Sequence, residues 1–157
     1  MATIKKKPSG YGQFGGLSPY GNVTALAFFL ATNASGAVID SDTTVAVASG
    51  DVIDLGELPE GMRLDDAQIL IKTGMTATVT GSLGFKYVDG DSTEVPQDAA
   101  YFINAGDLAT AGRLRANTGK LVTLPKAARL ILTTGGAANA KASDIKVIVS
   151  GELTGPR

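Results

Sequence analysis

The sequence predicts an all-β protein, with a β-sandwich or jelly-roll-like body and an extended N-terminal arm. Three observations support this prediction. Short apolar segments alternate with polar residues at a period of two, which is typical of strands with one buried face. Glycine, proline and acidic residues interrupt these segments at short intervals, as the turns of a sandwich do. No stretch shows a long apolar stripe at the 3.6-residue period of a helix.

The first 22 residues differ from the rest in composition and form the predicted arm. Its glycines and prolines disfavour a helix, yet it also carries large apolar side chains. A purely disordered tail is rarely so aromatic, so we expect residues 1–22 to dock in an extended form, on the body or on a neighbour. The side chains predicted to make this contact are Lys5, Lys6, Lys7, Tyr11, Phe14, Leu17 and Tyr20.

Residues 23–157 form the predicted β-sandwich domain. Strands are expected over residues 23–31, 43–48, 52–55, 67–72, 76–80, 83–88, 121–124, 130–132 and 145–150. Residues 56–61 are expected to form a tight corner, and residues 89–91 a hairpin turn. A single helical turn is predicted over residues 108–111, with Asp107 as its N-cap and Gly112 as its stop.

The sequence contains no cysteine, no histidine and no tryptophan. Without cysteine there are no disulfides, no thiolate zinc site and no cysteine nucleophile. Without histidine there is no Ser-His-Asp triad, and the usual general base near neutral pH is missing. We therefore predict that the protein is not an enzyme and that it uses no cofactor and no metal.

Charge and hydropathy limit the expected partners. Residues 1–39 hold three lysines and no acid, whereas residues 40–157 hold 11 basic and 15 acidic side chains. Three lysines are too few to predict a nucleic-acid site, because binding grows with the number of phosphates neutralised. The longest apolar run, residues 25–31, is far shorter than the ~20 residues of a membrane helix. The lysine run of the arm is interpreted either as solvated or as meeting an acidic protein surface, with no membrane and no specific nucleic acid as partner.

Two motifs suggest small-ligand sites, and neither has the context it needs. Residues 10–15 match G-x-G-x-x-G, but a lysine run and a proline precede them, and no helix follows to bind a pyrophosphate. Residues 89–94 are rich in oxygen ligands but lack the bidentate glutamate of a calcium loop. The first motif is interpreted as part of the arm and the second as a hairpin turn.

Paired charges give the remaining candidates. Asp65 and Asp66 are adjacent, so on a strand they would point to opposite faces and share no substrate. They and the pair Glu57 and Glu60 are interpreted as solvated turn residues. Arg113 and Arg115 have strand spacing and would share a face, where a salt bridge or a subunit contact is expected.

Three segments resemble capsid decoration, or cement, proteins of tailed bacteriophages. Residues 51–71 carry a strand, then Leu-Gly-x-Leu-Pro-x-Gly, then an apolar strand. Residues 83–90, LGFKYVDG, and residues 101–113, ending in DLATAGR, are similar to later strands and turns of those proteins. The resemblance covers roughly residues 52–153, and the N-terminal arm has no counterpart in it.

This resemblance implies a jelly-roll-like subunit that lies on the capsid exterior, commonly as a trimer, and bridges copies of the major capsid protein. It also implies a virion location, with synthesis in the cytoplasm of the bacterial host. A phage tail-tube or head-completion protein is the nearest alternative. A carbohydrate-binding β-sandwich is a more distant one, followed by a small enzyme that uses carboxylates.

Overall fold

The computed structural model describes residues 1–6 and 23–154, and the regular structure of these residues is β throughout. The strands are β1 (Thr3–Lys5), β2 (Val23–Thr32), β3 (Val52–Leu58), β4 (Met62–Thr73), β5 (Thr80–Tyr87), β6 (Asp98–Asp107), β7 (Gly112–Arg115), β8 (Val122–Thr123), β9 (Ala128–Gly135) and β10 (Ser143–Leu153). Most of the predicted strands are present, although several extend further than the sequence pattern indicates. The strand predicted over residues 76–80 is wrong, because residues 76–79 form a turn and β5 begins only at Thr80.

The strands form two sheets that enclose one core. The first sheet has the order β1-β3-β9-β5-β6, and the second has the order β2-β10-β4-β7, with β8 also paired to β4. Strand pairs are antiparallel except for β1 and β3, which run parallel. The predicted all-β sandwich is therefore confirmed, while the narrower jelly-roll topology stays a prediction.

Alternating side chains fill the space between the sheets. In β10, Ile145, Val147 and Val149 are buried and the residues between them are partly exposed, as the period of two predicts. Leu83 in β5 and Leu132 in β9 are paired across the first sheet and are also fully buried. Burial of this aliphatic surface supplies the main driving force for stacking the sheets.

A buried asparagine ties together several loops at one end of the sandwich. Asn139 is 1% exposed, and its Nδ2 donates to Thr32 Oγ1 at 3.0 Å and to the Lys141 carbonyl at 2.9 Å. Its Oδ1 accepts the Thr76 N–H at 3.0 Å, and its own N–H donates to the Val47 carbonyl at 2.8 Å. These bonds fix the connections that follow β2, β4 and β9 to one another.

The helical turn predicted at residues 108–111 is wrong. Asp107 does cap the backbone, since its Oδ1 accepts the Ala109 N–H at 2.8 Å. Hydrogen bonds from the Thr110 hydroxyl and then from this amide hold the pKa of Asp107 below its usual value. Leu108, however, donates to the Val79 carbonyl and accepts from the Met75 N–H. These long-range bonds outweigh the local preference, and the chain bends directly into β7.

The strand predicted over residues 43–48 is also wrong. Ala46 makes only an isolated bridge to Ala37, within the long connection from β2 to β3. Val47 is buried there and explains the apolar signal in the sequence. The apolar segment was therefore mistaken for a strand, although it is a loop that buries Val47.

Candidate interaction surface

Strand β2 lies at one edge of the second sheet and exposes apolar side chains. It contains no charged residue, and Val23 and Phe29 are 74% and 49% exposed. On the side of β2 that faces away from β10, the Ala31 carbonyl accepts the Ile39 N–H at 2.9 Å, and Lys6 Nζ donates to the Phe29 carbonyl. An apolar, uncharged edge strand of this length readily contacts another polypeptide.

Strand register places four side chains in a row across the outer face of the second sheet. Phe29 pairs with Lys146, Lys146 pairs with Leu70, and Leu70 pairs with Arg113; the row is Phe29, Lys146, Leu70 and Arg113. Directly paired residues project to the same side of a sheet. With strands about 4.8 Å apart, the row crosses four strands over about 14 Å.

A groove of about 600 Å³ follows this row. Its lining combines apolar and charged residues: Phe29, Leu70, Ile71, Lys72, Gly112, Arg113, Asp144 and Lys146. Lys146 Nζ lies 5.2 Å from the centre of the Phe29 ring, within the range of a cation–π contact. The groove thus presents an apolar floor beside three cations and one carboxylate.

The cations of the groove are only partly neutralised. Lys72 Nζ lies 3.2 Å from Asp144 Oδ2 in an exposed ion pair. Within the described part of the chain, no carboxylate forms a salt bridge with Lys146 or Arg113. The surface therefore has positive charge available to an acidic partner.

The first six residues belong to the body of the protein. Ile4 in β1 is 3% exposed and packs in the core, and the Asp51 carboxylate accepts the Ala2 N–H at 2.8 Å. Lys5 is exposed, whereas Lys6 is partly buried, and this burial lowers the pKa of its ammonium despite the nearby Asp40. The beginning of the predicted arm thus adds a strand to its own sheet.

The other predicted contact residues of the arm lie outside the described residues. These are Lys7, Tyr11, Phe14, Leu17 and Tyr20. Both flanks of segment 7–22 are fixed at β2, because Lys6 contacts the strand at Phe29 and the chain re-enters it at Val23.

Asp65 and Asp66 lie within β4, and the prediction that they are turn residues on opposite faces is wrong. A β-bulge in the pairing of β4 with β10 makes Asp65 an extra residue, so both carboxylates remain on the outer side. Arg63 Nε lies 2.7 Å from Asp65 Oδ1, and Arg115 NH1 lies 3.5 Å from Asp66 Oδ2. Each carboxylate therefore has its own arginine, and the pair is structural.

The acidic segment at residues 89–94 lies in the connection between β5 and β6, residues 88–97. This connection is longer than the predicted tight turn, although Gly90 does adopt a positive φ of 102°. Asp91 Oδ1 accepts the N–H groups of Ser92 and Gln97, both at 2.8 Å, and Asp89 pairs with Lys126 at 2.9 Å. Over residues 1–6 and 23–154, no three acidic side chains cluster as a metal site would require, and no helix could cross a membrane.

Three solved structures contain chains with this architecture. A chain from the capsid of Ralstonia phage GP4 superposes with a TM-score of 0.65 and 17% identity, over 96% of this chain and 97% of that chain. A chain of the cyanophage Pam1 capsid asymmetric unit superposes with a TM-score of 0.58 and 18% identity, over 94% of this chain and 97% of that chain. A chain of the acid-stable capsid of Helicobacter pylori bacteriophage KHP30 superposes with a TM-score of 0.51 and 13% identity, over 85% of this chain and 94% of that chain.

The protein has a fold found in phage capsids. No protein-family model and no curated protein matches the sequence, and the likeness to these three chains is one of structure. Coverage is 94% or more of both chains in the first two matches, and 85% of this chain and 94% of that chain in the third. Each capsid chain is therefore about as long as this one, and the likeness extends over most of the chain.

In this capsid-type fold, the row on the second sheet is the surface that sequence reasoning missed. Arg113 was expected at a salt bridge or subunit contact, but its neighbours Lys146, Leu70 and Phe29 come from distant segments. One signal was present in the sequence. Phe28 and Phe29 are adjacent on a strand, so one of the two rings must face outward.

Proposed function

We propose that the protein is a structural subunit of a phage capsid, and more narrowly a decoration, or cement, protein on its exterior. The observation that carries the proposal is the structural match, over 85–96% of this chain, to chains from three phage capsids. The sequence resemblance of residues 52–153 to decoration proteins points the same way. Both also favour the shell over a tail-tube or head-completion role, since all three matching chains come from capsids.

The proposed work of the protein is mechanical. A decoration subunit adds buried contact area across the junctions between copies of the major capsid protein, and so raises the cost of separating them. Its own body is suited to this role, because two sheets around a continuous, close-packed apolar core deform little under load. Repetition over a symmetric shell multiplies a modest contact through multivalency.

The N-terminal segment is proposed as one contact with the shell. Lys5 is exposed on β1 and can face an acidic surface, whereas Lys6 is engaged with β2 of its own chain. Lys7, Tyr11, Phe14, Leu17 and Tyr20 are proposed to anchor segment 7–22 to a neighbouring subunit. Replacing residues 7–22 with a glycine-serine linker of equal length should weaken binding to shells while leaving β1 in place.

Purified virions provide the direct test of this proposal. Cryo-electron microscopy of the parent particles should show this sandwich on the outer surface of the shell, seated over junctions between major capsid subunits. Particles without the protein should release their DNA at a lower temperature, and adding the purified protein should restore retention. Density for this chain only in the tail, or its absence from virions, would refute the proposal.

The trimeric state belongs to the same proposal and has a separate test. Light scattering on purified protein, and local symmetry on the particle, should both give three copies per assembly. A protein that is monomeric both in solution and at each particle site would contradict the trimer while leaving the decoration role intact.

A further inference from the structure

We infer that the groove along Phe29, Lys146, Leu70 and Arg113 is a docking surface for an acidic, partly apolar segment of the major capsid protein. This inference rests on the proposed function and adds to it a specific contact surface. It places the contact on the outer face of the second sheet, separate from the predicted contacts of the N-terminal segment.

Charge complementarity defines the partner as acidic. Three cations line the groove with one carboxylate, and that carboxylate, Asp144, is already paired with Lys72. Lys146 and Arg113 form no salt bridge within residues 1–6 and 23–154. The groove also lies on a protein with net charge −1, so the positive charge here is local. Such a patch would both attract and orient an acidic segment.

The apolar floor defines the partner as partly apolar. Phe29 is 49% exposed, and Leu70 beside Lys146 is only half-buried. Contact with an aliphatic or aromatic side chain would remove both from water, and the cation–π contact of Lys146 strengthens when it is desolvated. A buried apolar anchor with charged residues around it is the usual arrangement of a strong contact point.

A polypeptide suits this groove better than nucleic acid does. Three cations within about 14 Å would neutralise few phosphates, and binding to nucleic acid grows with that number. The groove also ends at β2, the edge strand of its sheet, and an apolar edge strand is a common place for contact with another polypeptide. Only a polypeptide can use the charge, the apolar floor and the edge together.

Charge reversal tests the inference. The double variant Arg113→Glu and Lys146→Glu should bind shells of the parent phage at least tenfold more weakly, because two attractions become repulsions. The matched control is Lys86→Glu and Lys141→Glu, which makes the same change in net charge away from the groove and should bind as the wild type does. Circular dichroism and thermal unfolding would confirm that both variants fold.

The variant Phe29→Ala tests the apolar part of the groove. It should weaken binding several-fold with little change in its dependence on salt, whereas the charge-reversal variant should show a reduced salt dependence. Shell binding by both groove variants that equals that of the control would overturn the inference. If the wild-type protein itself did not bind shells, the proposed function would fail first.

Photo-crosslinking identifies the occupant of the groove. A benzoylphenylalanine at position 29 should link to a segment of the major capsid protein rich in Asp or Glu, and the same group at position 57, on the other sheet, should not. Crosslinks to DNA, to a second copy of this chain, or to residues 7–22 of the same chain would each overturn the inference.

Discussion

Thr78 holds a backbone conformation that its side chain disfavours. Its φ is 68°, in the left-handed region, which a β-branched residue rarely adopts. The carbonyl of Thr78 lies so close to Gly136 that a Cβ there would approach it to 2.0 Å, so the two turns are packed together. The residue is exposed, and its strain can therefore be relieved without disturbing the core.

Replacing Thr78 with Asn should stabilise the protein. Asparagine tolerates the left-handed region, and the free energy of unfolding should rise by roughly 0.5–1 kcal/mol. Urea denaturation followed by circular dichroism would measure the change. The control Thr73→Asn changes a residue without a positive φ and should not raise the free energy of unfolding. Equal stabilisation by both variants would contradict backbone strain at Thr78 as the cause.

Asn139 shows the opposite situation, in which one buried side chain satisfies several neighbours. Asn139→Ala removes the acceptor of the Thr76 N–H and the donors to Thr32 and Lys141. The free energy of unfolding should fall by about 3 kcal/mol, because buried polar groups are left without partners. Chemical denaturation of this variant should be compared with Asn117→Ala, whose exposed side chain should change stability by less than about 0.5 kcal/mol.

At the scale of elements, β1 joins the N-terminus to the first sheet. Ile4 is buried in the common core, and residues on both sides of it make backbone bonds to the body. The Val52 N–H donates to the Ala2 carbonyl, and the Lys6 N–H donates to the Asp54 carbonyl. This strand covers the edge of the first sheet, which would otherwise be open to pairing with other chains.

The variant Ile4→Ala measures how much β1 contributes. Loss of a buried isoleucine side chain should lower the free energy of unfolding by about 2–4 kcal/mol. Amide protons of the paired residues in β3 should also exchange faster. Thr3→Ala, on the exposed side of the same strand, should have little effect; a similar loss from both variants would argue against burial of Ile4 as the cause.

Strands β5 and β6 approach each other closely at a glycine. A Cβ on Gly84 would lie 2.0 Å from the Asp98 carbonyl oxygen, and backbone atoms cannot move away as a side chain can. Gly84→Ala should therefore destabilise the protein by more than about 3 kcal/mol. In Gly135→Ala the nearest obstacle is the hydroxyl of Thr80 at 2.9 Å, which can rotate, so thermal unfolding should show a smaller loss.

At the scale of the whole molecule, Tyr101 links the two sheets, and its ionisation should make the free energy of unfolding vary with pH in the alkaline range. Tyr101 lies in β6 and is 3% exposed, and its hydroxyl donates to the Leu64 carbonyl of β4 at 3.2 Å. The same oxygen accepts the Val122 N–H at 3.1 Å. Burial raises the pKa of Tyr101 to about 12, because the phenolate would lose its hydration.

The sign of this effect follows from the raised pKa. The folded state holds the Tyr101 proton more tightly than the unfolded state, whose pKa is about 10. The stabilisation is therefore complete below pH 10 and is lost as pH rises towards 12. The difference in the free energy of unfolding between the wild type and Tyr101→Phe should be constant below pH 9.5. At higher pH this difference should narrow by roughly 2 kcal/mol. Urea titrations at several pH values would measure it, and a constant gap throughout would contradict the assignment.

Shape at this scale also determines which surfaces are free for assembly. The inner faces of both sheets are fully used in the core, so only the outer faces, the edges and the loops can contact other subunits. The outer face of the second sheet combines the exposed edge strand β2 with the groove. The proposed functions of the molecule therefore depend on surface residues that contribute little to its own stability.

The sequence by itself determined the fold class and most of the core. A period of two in segments such as residues 145–149 predicts which side chains are buried, because that alternation is a property of each strand alone. The absence of cysteine and histidine likewise excluded disulfides, thiolate zinc sites, cysteine nucleophiles and Ser-His-Asp triads, because amino-acid composition does not depend on folding. Local patterns failed where long-range bonds prevailed, as at Leu108 and at the bulge beside Asp65.

Only the tertiary structure decided which surface residues stand together. Phe29, Leu70, Arg113 and Lys146 lie far apart in the sequence and form a row because of the register of four strands. Register depends on the packing of whole sheets and on bulges, which no short segment encodes. For the same reason, β1 could be recognised as a body strand only when its partner β3 was in place.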